Sequence, residues 1–374
     1  MSDSAVATIQ EEILNFINQY QVMNGHGESD EDFNRLALDL FQYQFDHNLP
    51  YKKYAQQQRK SPLMVHRWQD IPLMPIQGYK KLTLSTTSIT ADEAVFMSSG
   101  TTDKNHRSHS YHPTFAVWNE SMKAPFKQYV LPDVDRITII GLFPDEEHLE
   151  NSSLAHYVSR AIAEFGDQHS RAYVDEDGID YQGVVAALKV AEEDQRPVML
   201  LGASFSYVHL LDYLKQQKLV FHLAEKSRIF DTGGFKGQSR QVSEDQLLAD
   251  LKEAFGVSRD YYLNMYGMTE ISSQCYDQNL WHLSQGLDPI YSKQTPAWVR
   301  VRILDTDTLE PVAPGEKGVL AYYDLSNWNS CLGILTEDLA VQDEAGFTLL
   351  GRIAGAGAKG CSISIDQLLQ ANQV

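Results

Sequence analysis

Between residues 114 and 265 short apolar runs alternate with amphipathic stretches, and few folds accommodate that alternation. Residues 114–130 carry helical spacing, and 136–143 form an apolar, β-branched run that ends before Pro144. A helix is predicted over 152–165, with Leu154, Tyr157, Val158 and Ile162 facing inward. A short strand at 171–174, a helix at 181–193, a buried strand at 197–201 and a helix at 204–216 follow. After another short strand at 228–230, Ser243 and Gln246 have capping-box spacing for a helix that Gly256 closes; 261–265 is a further strand. Strands separated by helices of this length build a mostly parallel sheet with helices over it.

The flanks follow different rules. Residues 5–23 put Ile9, Ile13, Phe16, Ile17 and Tyr20 on one helical face. Ser29 and Asp32 stand where they can cap a second helix carrying Phe33, Leu36, Leu40, Phe41 and Phe45, and 51–60 is a polar segment. Past residue 297, alternating runs at 298–304 and 318–325 flank a turn, the pattern of a hairpin in a smaller β region. The predicted organisation is a helical cover over 1–60, an α/β core over 61–296, a β-rich subdomain over 297–352 and a short tail over 353–374.

The chain has 374 residues, enough for one large domain or two lobes. Its net charge of −19 argues against a nucleic-acid partner, because a phosphate backbone needs a basic face. Cys275, Cys331 and Cys361 have no CxxC spacing, so neither a disulfide framework nor a zinc site is indicated. No run reaches the roughly 18 apolar residues of a membrane span, and the N-terminus lacks a signal-peptide pattern. The chain reads as cytoplasmic.

Several stretches suit a phosphorylated ligand. Ser98-Ser99-Gly100-Thr101-Thr102-Asp103-Lys104 follows an apolar run and offers hydroxyls, a permissive glycine and a charge, without the Walker spacing. Asp231-Thr232-Gly233-Gly234-Phe235-Lys236-Gly237 follows a strand, and its paired glycines permit close approach to a flat ligand. Asn264-Met265-Tyr266-Gly267-Met268-Thr269-Glu270 ends another strand with a ring, a hydroxyl and a carboxylate. Thr336-Glu337-Asp338 and Gly351-Arg352 add a carboxylate and a guanidinium. Singly, each is an ordinary turn. Together, at strand ends of one α/β domain, they mark a ligand crevice.

SSGTTDK, YGMTE, TED and GR, in this order, resemble the core motifs of the adenylate-forming superfamily. Within it the chain is most similar to the acyl-protein synthetases of bacterial bioluminescence (LuxE-like), on its short length, its N-terminal helices and the ending Lys359-Gly360-Cys361-Ser362. The resemblance implies the large N-terminal domain of that fold, with the C-terminal lid missing or vestigial. It also implies ATP-dependent activation of a fatty or other carboxylic acid, with Mg²⁺, then transfer of the acyl group to a cysteine. Delivery to a partner protein, a reductase or a carrier, follows.

By the same resemblance, Ser98, Ser99, Gly100, Thr101, Thr102 and Lys104 embrace the phosphates. Gly233 and Gly234 pass the adenine, on which Tyr266, followed by Gly267, stacks. Thr269 reaches the α-phosphate, Glu270 holds Mg²⁺, and Asp338 and Arg352 bind the ribose. Cys361 matches the acyl-carrying cysteine, and Lys104 or Lys236 supplies the charge that a lid lysine gives in longer relatives. A second reading keeps adenylation but releases acyl to CoA or a carrier protein. A reading from another class starts from Gly202-Ala203-Ser204-Phe205-Ser206, which follows a buried strand and opens a helix, the setting of a nucleophile elbow. That would make a serine acyl hydrolase, with Asp231 or Asp277 and His282 as partners; Ser204 as a helix N-cap is the simpler account.

Overall fold

The structure, a computed structural model, describes residues 3–21, 29–91, 93–98, 107–233, 239–240, 242–353 and 359–373. Two compact units divide the chain: one comprises 1–124, 268–274 and 292–374, the other 125–267 and 275–291.

The second unit holds the alternating region from residue 125 onward. Its strands lie in the order Arg171–Ala172, Thr138–Leu142, Val198–Gly202, Arg228–Asp231, Tyr262–Tyr266, all parallel; Cys275–Asp277 then pairs antiparallel with the last of them. Parallel strands need crossovers, and the amphipathic stretches provide them as helices Ser153–Phe165, Tyr181–Glu193, Ser204–Gln217 and Glu244–Phe255. Ile140, Leu200, Ile229 and Tyr262 from the sheet meet Leu188, Leu210, Leu251 and Phe255 from the helices in one buried core. Ser243 caps its helix by accepting from Gln246 N at 3.2 Å, and Gly256 ends it at φ +72°, as the sequence requires. Residues 114–130 are not one regular helix: the α-helix Ala116–Pro125 gives way to π-type turns at Phe126–Val130, because Pro125 lacks the amide that would continue the ladder.

In the first unit a meander of Val299–Leu304, Lys317–Asp324, Gly333–Gln342 and Phe347–Arg352 pairs antiparallel throughout. The short strand Met74–Pro75 joins it in parallel beside Gly333–Gln342. Helices Asp3–Gln19 and Asp30–His47 bury the residues their spacing predicts, among them Ile13, Phe33, Leu36 and Leu40. One local expectation fails, and one stretch is more ordered than its composition suggests. Ser29 precedes its helix but makes no capping bond, because its hydroxyl accepts instead from the buried Arg300 guanidinium at 3.0 Å. The polar-looking 51–60 segment contains a helix, Leu49–Gln57, whose Tyr51 and Tyr54 are fully buried and donate to Pro72 O and Leu73 O. Tyrosine packs as an apolar ring once its hydroxyl has an acceptor.

The C-terminal stretch carries the helix Lys359–Asn372. Its start is seated on the meander, with Gly360 N donating to Thr306 O at 3.0 Å. Near its other end Asn372 reaches Pro50 O. Among the described residues no helix is long and apolar enough to cross a membrane.

Inside the second unit Arg228 is buried, donating to Asp133 at 2.9 and 3.2 Å and to Val130 O at 2.7 Å. Burial pushes the Asp133 carboxyl up, but the hydrogen bonds and charge of Arg228 outweigh it and hold the group below the ordinary carboxylate range. A carboxyl depressed on folding stabilises above its unfolded pKa, about 4, and loses that contribution as pH falls further. Arg228→Met is expected to cost about 2–3 kcal/mol at neutral pH, below the full value for a buried pair because Asp133 stays partly open to water. Urea unfolding at pH 7 and pH 3 should show this difference shrinking at the lower pH.

Candidate active site

The residues singled out by the sequence fall in both units. In the first, the antiparallel pair Ala94–Met97 and His109–His112 brings Ser98 against Ser108: Ser98 N donates to Ser108 O at 3.1 Å, and Ser98 Oγ accepts from Ser108 N at 2.9 Å. Ser99, Gly100, Thr101, Thr102 and Lys104 lie outside the described residues. Ser108 is itself buried and neighbours Glu270.

Glu270 is a buried carboxyl at 6% exposure. Burial pushes its pKa up, while Ser108 and the charges of Arg352 and Lys80 draw it down. Among the described residues no lysine or arginine forms an ion pair with it, and no cluster of three or more metal-ligating side chains occurs. A lone buried carboxylate of this kind fits a magnesium ion that takes most of its other ligands from water and substrate phosphates. Thr269, the preceding residue, is half-buried.

The segment after Glu270 is fixed from below. Asp324, wholly buried at the end of the strand Lys317–Asp324, accepts from Ser272 N at 3.1 Å, Ser273 N at 2.8 Å, Ser273 Oγ at 2.8 Å and Ser326 N at 2.8 Å. Burial pushes its carboxyl up to about 6 against those donors. Asn327 accepts from Ser272 N at 2.9 Å and donates to Glu270 O at 3.3 Å.

Asp338 and Arg352 are Cα partners across the last two strands of the meander, and their side chains meet at 3.3 Å. The register of that ladder is therefore what places the two residues expected at a ribose on one face. Thr336 turns its hydroxyl to Leu320 O at 2.8 Å and accepts from Asp338 N at 3.1 Å, holding the backbone of the carboxylate.

In the second unit, Asp231 ends its strand as another buried carboxylate. It accepts the Ser204 hydroxyl at 2.8 and 3.0 Å, the Tyr262 hydroxyl at 2.5 Å and Gly233 N at 2.8 Å. Gly233 sits at φ +71°, where a residue without Cβ is favoured, and Asp231 holds its amide there. Gly234 and Lys236 lie outside the described residues. Tyr266 is buried at the end of its strand opposite Cys275, and Gly267 beyond it is exposed.

Ser204 is neither a helix cap nor arranged as a nucleophile. Ala203 holds the cap position, Ser204 is the first helical residue, and its hydroxyl donates to a carboxylate with no histidine between them. His282 faces the Asp288 carbonyl. Without an imidazole to take its proton, the serine lacks the base that acyl hydrolysis requires.

Cys275 and Cys331 are buried, and burial pushes the Cys331 thiol far up. Cys361 is the third residue of the helix Lys359–Asn372; its side chain lies outside the described residues. A helix's first turn favours a thiolate.

Sequence reasoning missed Asp324, Asn327 and Ser108. Asp324 had a visible signal: a carboxylate ending the run Val319-Leu320-Ala321-Tyr322-Tyr323 must be satisfied by donors in the core. Ser108 had none, since a serine at the foot of a hairpin resembles any turn residue.

The fold is that of adenylate-forming ligases. 2-Hydroxyisobutyryl-CoA ligase, solved with 2-HIB-AMP and CoA in the thioesterification state, superposes with a TM-score of 0.64 at 12% identity, over 89% of this chain and 70% of that one. Its open conformation gives 0.58 at 12% identity, over 85% and 69%. The family described as "Acyl-protein synthetase, LuxE" matches residues 8–370, and the chain belongs to that family. Long-chain-fatty-acid–luciferin-component ligase of Aliivibrio fischeri is 24% identical, covering 92% of this chain and 90% of its own length. The Vibrio harveyi protein of that name is 23% identical, over 90% and 88%.

A fluorophosphonate probe is expected to leave Ser204 unlabelled in the folded protein. Ser204→Ala should lower stability by about 1.5–3 kcal/mol, the scale of a buried hydrogen bond to a charged group, which a thermal melt reads directly.

Proposed function

We propose that this chain activates a long-chain fatty acid with ATP and passes the acyl group through its own Cys361 to a partner protein. The family match over residues 8–370 supports this reading, and the luciferin-component ligases named among its relatives suggest both the fatty acid and an acyl-accepting protein. In the first half-reaction the fatty carboxylate attacks the α-phosphorus of ATP and pyrophosphate leaves, giving an acyl-adenylate. In the second the Cys361 thiolate attacks the acyl carbon and AMP leaves, giving a thioester that a partner such as a reductase consumes.

The roles follow the chemistry of each group. Ser98 to Lys104 bind the phosphates, and Thr269 donates to the α-phosphate where negative charge grows. Glu270 would hold magnesium, which neutralises charge on the departing pyrophosphate. Gly233, Gly234 and Tyr266 border the base, and Asp338 with Arg352 takes the ribose hydroxyls. Lys104 and Lys236 remain the candidates for the cationic donor of the adenylation step. Cys361 is assigned as the acyl carrier by its position near the C-terminus, as the family resemblance implies, and the burial of Cys275 and Cys331 supports that choice.

Incubation with ATP, magnesium and labelled fatty acid is expected to leave hydroxylamine-labile label on the protein. Cys361→Ser should lose that label while keeping acid-dependent ATP–pyrophosphate exchange. Label found only on added CoA or carrier protein would replace Cys361 with the external acceptor. Glu270→Gln is expected to slow exchange by about a hundredfold or more, the scale seen when one charge-stabilising contact is removed.

A further inference from the structure

We propose that the buried loop 324–330 is the positioning element of the adenylation step: Asn327 sets Glu270, and Asn329 sets the strand pair that carries Ser98. The inference rests on the function proposed above and names residues that neither the motifs nor the family resemblance singled out.

The loop joins two strands of the meander and every residue from 324 to 330 is buried, an unusual setting for a connection. Its polar side chains are directed at two separate targets. Asn327 holds the backbone around Glu270, accepting from Ser272 N and donating to Glu270 O, beside the four donor contacts of Asp324. Asn329 faces the other way. Its Nδ2 donates to Tyr111 O at 3.0 Å, on the strand His109–His112. Its Oδ1 accepts from Thr86 Oγ1 at 2.8 Å, Thr86 N at 3.2 Å and Thr87 Oγ1 at 3.1 Å, which fixes the amide's orientation.

Tyr111 is three residues from Ser108, the residue that both clasps Ser98 and neighbours Glu270. Two asparagines two positions apart thus grip the two sides of one corner. The loop is braced from outside: Gln44 donates to Asn327 O at 2.8 Å and Trp328 O at 3.2 Å, Asn48 to Ser330 O at 3.0 Å, and Tyr79 to Ser330 Oγ at 3.2 Å. The N-terminal helices therefore hold the loop that holds the corner. None of these side chains needs to touch substrate, so their effect should divide along the two arms.

The test is acid-dependent ATP–pyrophosphate exchange on the full chain, with ATP and magnesium titrated separately. Asn329→Ala is expected to raise the apparent KM for ATP about tenfold, the scale of one lost positioning hydrogen bond, with the magnesium midpoint within about twofold of the parent. Asn327→Ala should do the reverse, raising the magnesium midpoint about tenfold and lowering kcat while the ATP KM moves less than about twofold. Thr86→Val, which keeps the side chain's volume and removes one donor to Asn329, should shift the ATP KM in the same direction by about threefold, and it decides the ATP arm if the asparagine variants do not fold. Loss of activity in equal proportion in both titrations, or parent-like behaviour of all three variants, overturns the inference. A parent chain without acid-dependent exchange overturns the adenylation reading and this inference with it.

Discussion

A carboxylate wholly out of water must direct its lone pairs at donors, and Asp324 directs them at the backbone that follows Glu270. The Ser272 and Ser273 amides, the Ser273 hydroxyl and the Ser326 amide converge on it, so the path of residues 272–273 is tied to a strand end. Such an arrangement resists local rearrangement, because releasing any one donor leaves a polar group unsatisfied in the core. It keeps Glu270 buried without a lysine or arginine ion-paired to it among the described residues.

The second unit solves a different problem by the same means. There Asp231 closes a parallel strand and gathers two hydroxyls and the Gly233 amide, and the glycine's left-handed backbone follows from that contact. Burial and the adjacent charge of Asp231 push the Tyr262 hydroxyl well above its ordinary range, which favours its protonated, donating form. In both units a buried acid at a strand end gathers nearby donors and fixes the backbone that supplies them.

The parallel sheet was legible because its helices and strands obey distinct periods over long stretches; the helix Tyr181–Glu193 begins and ends where its pattern does. That Asp338 and Arg352 face each other was not legible, since a cross-strand partner fourteen positions away depends on ladder register. Local capping chemistry misled at Ser29 and Ser204, where a distant arginine and a distant aspartate compete for the hydroxyl. Tyrosines at 51 and 54 hid a buried helix, because a polar-looking residue type covers an apolar ring. The asparagine grips at 327 and 329 were invisible for a simpler reason. Their partners lie more than fifty residues away and carry no spacing rule.

The seat of the C-terminal helix constrains a part of the chain that would otherwise drift. A Cβ at residue 360 would come within 2.8 Å of Leu309 and 3.0 Å of the Asp307 carbonyl, so the helix begins in direct apposition to the tip of the 305–310 turn. Surface turns between hairpin strands ordinarily absorb insertions and deletions at little cost. Here a change in that turn's length would shift the point at which the helix Lys359–Asn372 begins, so a hairpin tip about fifty residues earlier acts as a ruler for the chain's last helix.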